Sequence, residues 1–280
     1  MKRLTALLIA LFTFSVLAQQ DQRLPDGKWA YYGEDFYKTL LSTKKFQRSQ
    51  LNKIFNEQHS TSKGKFDTIS TQCSNSSCYR HTSVGYDRAR KIMFGELDVQ
   101  RDSKGTYVVD VYCGKKFYYR NLEEVSDMHT IVNIEHTWPQ SKFNGNFPKD
   151  MQKSDMHHLY LTDSYANNVR GNSPFGFVKI NADLMGGEGC RNSREGFVDN
   201  ANVYTPPTQH RGNVARSLFY FSMHYNLPIS QTEERTLRQW HKLDPIDADE
   251  LRRHELIAKH QKVRNPFVDH PEIVDMISDF

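Results

Sequence analysis

The run Ile131-Val132-Asn133-Ile134-Glu135-His136-Thr137-Trp138-Pro139 constrains the fold more than any other part of the chain. Ile131, Val132 and Ile134 alternate with polar neighbours in the pattern of a half-buried strand, and Pro139 stops it. A carboxylate and an imidazole therefore stand side by side at a strand end, on opposite faces of the pleat unless twist intervenes. Glu135 can hold a hard cation through oxygen, and His136 titrates close to neutrality, as a base for water must. Taken alone, the pair also fits a solvated glutamate beside a hydrogen-bonded core histidine.

The segment that follows changes the balance. Met156 through Leu161 fits a second short strand, Asp163 or Ser164 is a good N-cap for a short helix, and Gly171 is a natural stop for it. The outline is strand, loop, strand, helix, with Asn167 about one turn before Gly171. An asparagine there offers a neutral carbonyl oxygen to the cation held by Glu135. Two protein ligands plus waters is the usual way magnesium is bound when a phosphate is the substrate.

Three runs, NIEHTWPQS, KSDMHHLY and NNVRGN, resemble the endonuclease I family, secreted or periplasmic nucleases built on a ββα-metal (His-Me finger) core. Gly212-Asn213-Val214-Ala215-Arg216 with Tyr220, and Gln261-Lys262-Val263-Arg264-Asn265-Pro266-Phe267, extend the resemblance from about Tyr86 to Pro271. It implies an α+β fold in which the ββα-metal motif and a small antiparallel sheet are surrounded by helices. It implies His136 as general base, and Glu135 and Asn167 as ligands of one ion, Mg2+ with Mn2+ or Ca2+ as alternatives. It also implies cleavage of DNA, and of RNA alongside it, with little base preference. Some members place an arginine between the histidine and the second strand. Here Thr137 to Lys153 holds only Lys142, Lys149 and Lys153. Lys142 is then a candidate substrate contact, and Arg170, one turn beyond Asn167, is either the catalytic cation or a surface residue.

His157 and His158 with Asp155 invite a competing zinc-cluster reading. In a strand the two histidines face opposite ways, so one at most reaches a metal, and His157 fits better behind the site, orienting it. An exported zinc hydrolase, a phosphodiesterase for small molecules, and a non-catalytic nucleic-acid-binding protein are the other function classes. The last has no use for Glu135, His136 and Asn167 together.

At the start, Met1-Lys2-Arg3, the apolar run Leu4 to Leu17 and the light residues Val16-Leu17-Ala18 form a secretory signal cut after Ala18. Residues 19–280 are expected to form one soluble, exported, monomeric domain, secreted or periplasmic. The formal charge of +4 owes two units to Lys2 and Arg3. So small an excess does not announce nucleic-acid binding, and a basic footprint must come from uneven distribution. An even cysteine count in an exported chain implies disulfides. The pairing expected is Cys73–Cys78 as a local clip and Cys113–Cys190 as a long-range staple.

Elsewhere, residues 34–59 repeat apolar groups at helix spacing, Lys63 to Ser77 is a polar loop, and Tyr86 to Phe94 is helical with a basic solvated face. Glu96–Gln100 and Thr106–Tyr112 form a hairpin around Ser103-Lys104-Gly105. Lys115 to Arg120 is a basic and aromatic cluster, open to a phosphate-backbone role or to half-buried packing. Asn172 to His210 is loop-rich, and its Arg191 and Arg194, with Arg211 just beyond, are expected along the substrate groove. A core helix follows Gly212. Ser230 with Glu233 and Asp247 with Glu250 start two more, their charges expected on a solvated face.

Overall fold

The computed structural model describes residues 23–42, 44–178, 190, 193–198 and 201–280. The expected leader over residues 1–18, the Gly186–Gly189 glycines and Arg191 lie outside the described residues.

The chain opens with α1 (Gly33–Leu40) and α2 (Arg48–Asn56). The helical pattern expected over 34–59 is thus met by two helices, and its end, Gln58–Ser60, is instead a strand, β1. Gln47 and Gln50 close a reciprocal capping box that starts α2 afresh. β2 (Thr68–Ser70) and β3 (Cys78–Tyr79) flank β1 antiparallel, so part of the expected polar loop is strand. The Cys73–Cys78 disulfide closes the connection between them.

Helix α3 (Tyr86–Ile92) ends in a wider turn, Met93–Leu97. The expected hairpin follows as β4 (Gln100–Asp102) and β5 (Gly105–Val109), paired Asp102 to Gly105. Its first arm is shorter than expected because Glu96 and Leu97 belong to the preceding turn. The basic and aromatic cluster forms a third strand, β6 (Lys116–Tyr119). Its cations are locally spent: Lys115 pairs with Asp163, Lys116 with Asp102 and Arg120 with Glu124.

At the centre, β7 (Val132–His136) pairs antiparallel with β8 (Leu159–Asp163), Glu135 opposite Tyr160 and His136 opposite Leu159. Between them comes α4 (Lys149–Ser154). The second strand begins later than expected, because Met156–His158 is a 3-10 turn capped by the Asp155 carboxylate, which accepts from the His157 amide. Asp163 caps α5 (Ser164–Arg170) by accepting from the Tyr165 and Ala166 amides, and Gly171, with φ of 54°, ends it. Strand, strand and helix stand as the sequence pattern requires, and the α+β class holds.

A hairpin of β9 (Arg194–Val198) and β10 (Ala201–Thr205) precedes the long α6 (Arg211–Tyr225). The helices α7 (Gln231–Leu243), α8 (Ala248–Gln261) and α9 (Pro266–Asp269) complete the chain. Ser230 and Asp247 cap α7 and α8 as expected. The expectation of solvated charge on these helices holds for Arg235, Lys242, Asp249, Arg252, Glu255 and Lys259 and is corrected for Glu234, Glu250, Arg253 and His254, which are buried. Glu250 holds Arg216 through two contacts of 2.6 and 2.5 Å, and such a charge leaves water only because its partner is in place.

Two apolar clusters frame the β7–β8 ribbon. Val132, Ile134, Leu159 and Leu161 join α3 in one. Trp138 and Ala166 join α6, α7 and the C-terminal segment in the other. The ribbon lies between them, so its end is held from both sides.

Candidate active site

Glu135 and His136 meet different neighbours, as adjacent residues of a pleat should. Glu135 is 2% exposed. Its Oε1 accepts from the Tyr112 hydroxyl at 2.8 Å and pairs with Arg170 Nη1 at 3.0 Å. Burial pushes its carboxyl up, and the Arg170 charge and the Tyr112 hydrogen bond oppose that shift. Neither Glu135 Oε2 nor the Asn167 side-chain amide has a hydrogen-bond partner among the described residues.

Asn167 is half-buried on α5, which packs on both β7 and β8. It precedes Arg170 by three residues, so the two share a helix face. Arg170 reaches Glu135, and that face therefore looks toward the end of β7. Two oxygen donors without protein partners, one charged and one neutral, fit a hard divalent cation that keeps several waters.

His136 packs its ring against Tyr86 (5.7 Å between centroids, nearly parallel), Phe143 (6.3 Å) and His158 (5.4 Å). Nε2 lies 3.0 Å from the Lys153 carbonyl oxygen, so it carries the proton, which leaves Nδ1 as an acceptor. Nδ1 is faced by the amide of the exposed Gln140 at 3.4 Å. Burial depresses the imidazole to about 4, so it is neutral over the physiological range. Only 7% of the residue is exposed. Lys153 serves twice, since its ammonium also sits 4.2 Å from the centre of the Tyr86 ring.

Arg170 is not a surface residue. It is 1% exposed, donates to the carbonyls of His136 (3.0 Å) and Thr137 (2.6 Å), and lies over the Phe175 ring. It therefore clamps α5 onto the end of β7 behind Glu135, and its donors face inward rather than toward an incoming phosphate. The histidine against His136 is His158, whereas His157 bonds the Val263 carbonyl and faces Tyr220 and His254. The 3-10 turn, replacing the expected strand, turns the two imidazoles this way.

Among the expected substrate contacts, Lys142 is exposed, on a turn whose Lys142 carbonyl accepts from the Trp138 indole. Arg194 lies at the start of β9, half-buried and engaged. Arg211 donates to the Pro206 carbonyl and leans over Phe177 and Trp240, so it is committed to packing at the start of α6. Tyr86, Tyr112 and Gln140 were not singled out in the sequence. Gln140 lies within the NIEHTWPQS run and Tyr86 at the edge of the resemblance, but nothing around Tyr112 marks it.

Among the described residues, two other groups bring metal-binding atoms together, His81, Asp155 and His224, and His254, Glu255 and Asp269. The second already encloses a cation, the Arg264 guanidinium, which binds both carboxylates. In the first, one set of tautomers satisfies a continuous chain. Gln261 donates to His81, His81 to His224, His224 to the Tyr220 hydroxyl, and Tyr220 and Tyr225 to Asp155. The expected zinc alternative does not assemble either, since His157 and His158 are bound to different carbonyls, those of Val263 and Gln152.

Comparison with known proteins finds relatives named as nucleases. The chain is 33% identical over 164 residues to an extracellular ribonuclease of Bacillus amyloliquefaciens, covering 52% of this chain and 53% of that protein. It is 23% identical over 200 residues to Endonuclease-1 of Buchnera aphidicola subsp. Acyrthosiphon pisum, 61% of this chain and 76% of the relative. An extracellular deoxyribonuclease of Aeromonas hydrophila is 28% identical over 119 residues, 42% and 49%. The chain thus spans about half the length of the Bacillus ribonuclease. The Endonuclease I family model matches residues 65–272, a span that takes in β7, β8, α5 and every side chain of the site described above, and the chain belongs to that family.

Proposed function

We propose that this chain is an exported nuclease that hydrolyses phosphodiester bonds in DNA and RNA with one divalent metal ion, Mg2+ or in its place Mn2+ or Ca2+, and little base preference. Glu135 Oε2 and the Asn167 side-chain oxygen would hold the ion, which supplies charge compensation at the phosphate and leaving oxygen. His136 Nδ1 accepts the proton of the attacking water. Lys153 fixes the tautomer through its carbonyl, and Arg170 holds Glu135 from behind. Lys142 is the exposed cation available to the substrate backbone.

The observation that carries the reading is that Nε2 of His136 is tied to the Lys153 carbonyl while Nδ1 faces the side-chain amide of the exposed Gln140. Phosphate contacts carry no sequence information, which supports a base-blind substrate range. Names of relatives that include both ribonuclease and deoxyribonuclease support both substrates. The same proposal includes a leader cut after Ala18 and a single monomeric unit over 19–280. Two disulfides support export, and no helix among the described residues is long and apolar enough to cross a membrane.

The test is digestion of plasmid, single-stranded DNA and RNA with Mg2+ and with a chelator. Cleavage of all three that stops on chelation is the expected result. Undiminished cleavage in chelator overturns the metal assignment.

A further inference from the structure

The turn between β5 and β6 is built more heavily than a connection needs. Asp110, itself buried, accepts from the amides of Tyr112 (2.9 Å), Cys113 (2.7 Å) and Lys115 (2.7 Å). The Val111 amide donates to the Leu161 carbonyl on β8. Cys113 is bonded to Cys190, and the Ser193 hydroxyl donates to the Tyr112 carbonyl at 2.8 Å. Hydrogen bonds, a strand and a covalent link thus converge on one residue, Tyr112, which is fully buried and packs against Tyr204 and His210. Among the described residues its hydroxyl makes one polar contact, with Glu135 Oε1.

That contact has a directional effect. Arg170 also approaches Oε1, and a guanidinium left alone with a carboxylate tends to take both oxygens in a parallel fork. With Tyr112 and Arg170 both on Oε1, the other oxygen is kept out of the pair.

We propose that Tyr112 is a positioning residue for the metal site: its hydroxyl pins Glu135 Oε1 so that Oε2 is presented to the divalent ion. This rests on the reading of Glu135 as a ligand. Groups that hold a metal ligand from behind typically contribute about 10–100-fold to metal affinity.

The experiment is Mn2+ titration, followed by electron paramagnetic resonance, of the wild-type protein, Tyr112→Phe and Glu135→Gln. Each is also assayed for DNA binding in chelator and for thermal melting. Phenylalanine keeps the ring and removes the hydroxyl. The expected result is Mn2+ affinity weakened about 10–100-fold in Y112F, with metal-free DNA binding unchanged. A general loosening of the fold would weaken both. Mn2+ affinity in Y112F within twofold of wild type overturns the positioning role. Mn2+ affinity unchanged in E135Q overturns instead the ligand reading beneath it. Should Y112F fail to fold, Ser193→Ala, which frees the Tyr112 carbonyl, takes its place. A weaker Mn2+ affinity in S193A supports the proposal, and an unchanged one overturns it.

Discussion

The carbonyl oxygen of Lys153 lies 3.0 Å from Nε2 of His136 and so decides which nitrogen of the imidazole is free. The peptide unit that does this ends α4, seventeen residues along the chain. It leaves a buried histidine, depressed to about 4, with one nitrogen for the proton that the proposed reaction would hand to it.

His136→Ala should lower turnover by about 10²–10⁴ while leaving DNA affinity in chelator unchanged. The sign of the pH dependence follows from burial. The neutral form persists to well below the ordinary 6.5 of histidine, so the loss of turnover through this base should be centred nearer 4. Single-turnover rates between pH 4 and 7 measure it. A base titrating at 6.5 would show the imidazole open to water.

Arg170→Ala should destabilise the fold by about 3–5 kcal/mol, because it leaves the buried Glu135 charge short of a partner. It also strips donors from the His136 and Thr137 carbonyls. Urea denaturation of R170A checks this. A surface arginine would change stability by less than about 0.5 kcal/mol.

Acid should weaken the fold well before the carboxylates titrate. His157, His158 and His210 are depressed to about 3 by burial, against 6.5 when exposed. Between those values the unfolded chain binds protons that the folded chain refuses, so stability is complete above pH 6.5 and falls as pH drops. Each such histidine contributes up to about 1.4 kcal/mol per pH unit. Asp155, held well below the usual carboxylate range by the surrounding histidines despite its burial, adds a loss in the same direction at lower pH still. A melting temperature lower at pH 5 than at pH 7 by roughly 10 °C or more is expected. A flat profile would mean that these imidazoles are charged in the fold.

Glu250→Ala and Gly212→Ala should both damage the C-terminal half without touching the site. The first leaves Arg216 buried and unpaired, at about 3–5 kcal/mol. The second places a Cβ 2.0 Å from the Asp244 backbone oxygen and 2.6 Å from an Arg216 nitrogen, so backbone must move. Calorimetry should show both variants melting earlier than wild type, G212A even though alanine is the better helix former.

Much of the centre was legible in the sequence because it is written in short-range chemistry. The alternation at Val132 and Ile134, the Asp163 cap, the Gly171 stop and the short-range Cys73–Cys78 clip each follow from residue type and local pattern. Burial of the charges on α8 was not, because a charged helix face looks the same in sequence whether it meets water or Arg216. Arg170 and Arg211 likewise read as free cations until the fold supplies the carbonyls and rings that engage them. The shift of His157 and His158 from strand to 3-10 turn exchanged their roles, since one residue of register decides which imidazole meets His136.

By itself, then, the sequence determined the family, the strand-strand-helix centre and which groups are proposed for the chemistry. Only the tertiary structure decided their states: which nitrogen of His136 is free, and which oxygen of Glu135 is taken. Those states are set by partners remote in the chain, Lys153, Arg170 and Tyr112, and remote contacts leave no periodicity to read.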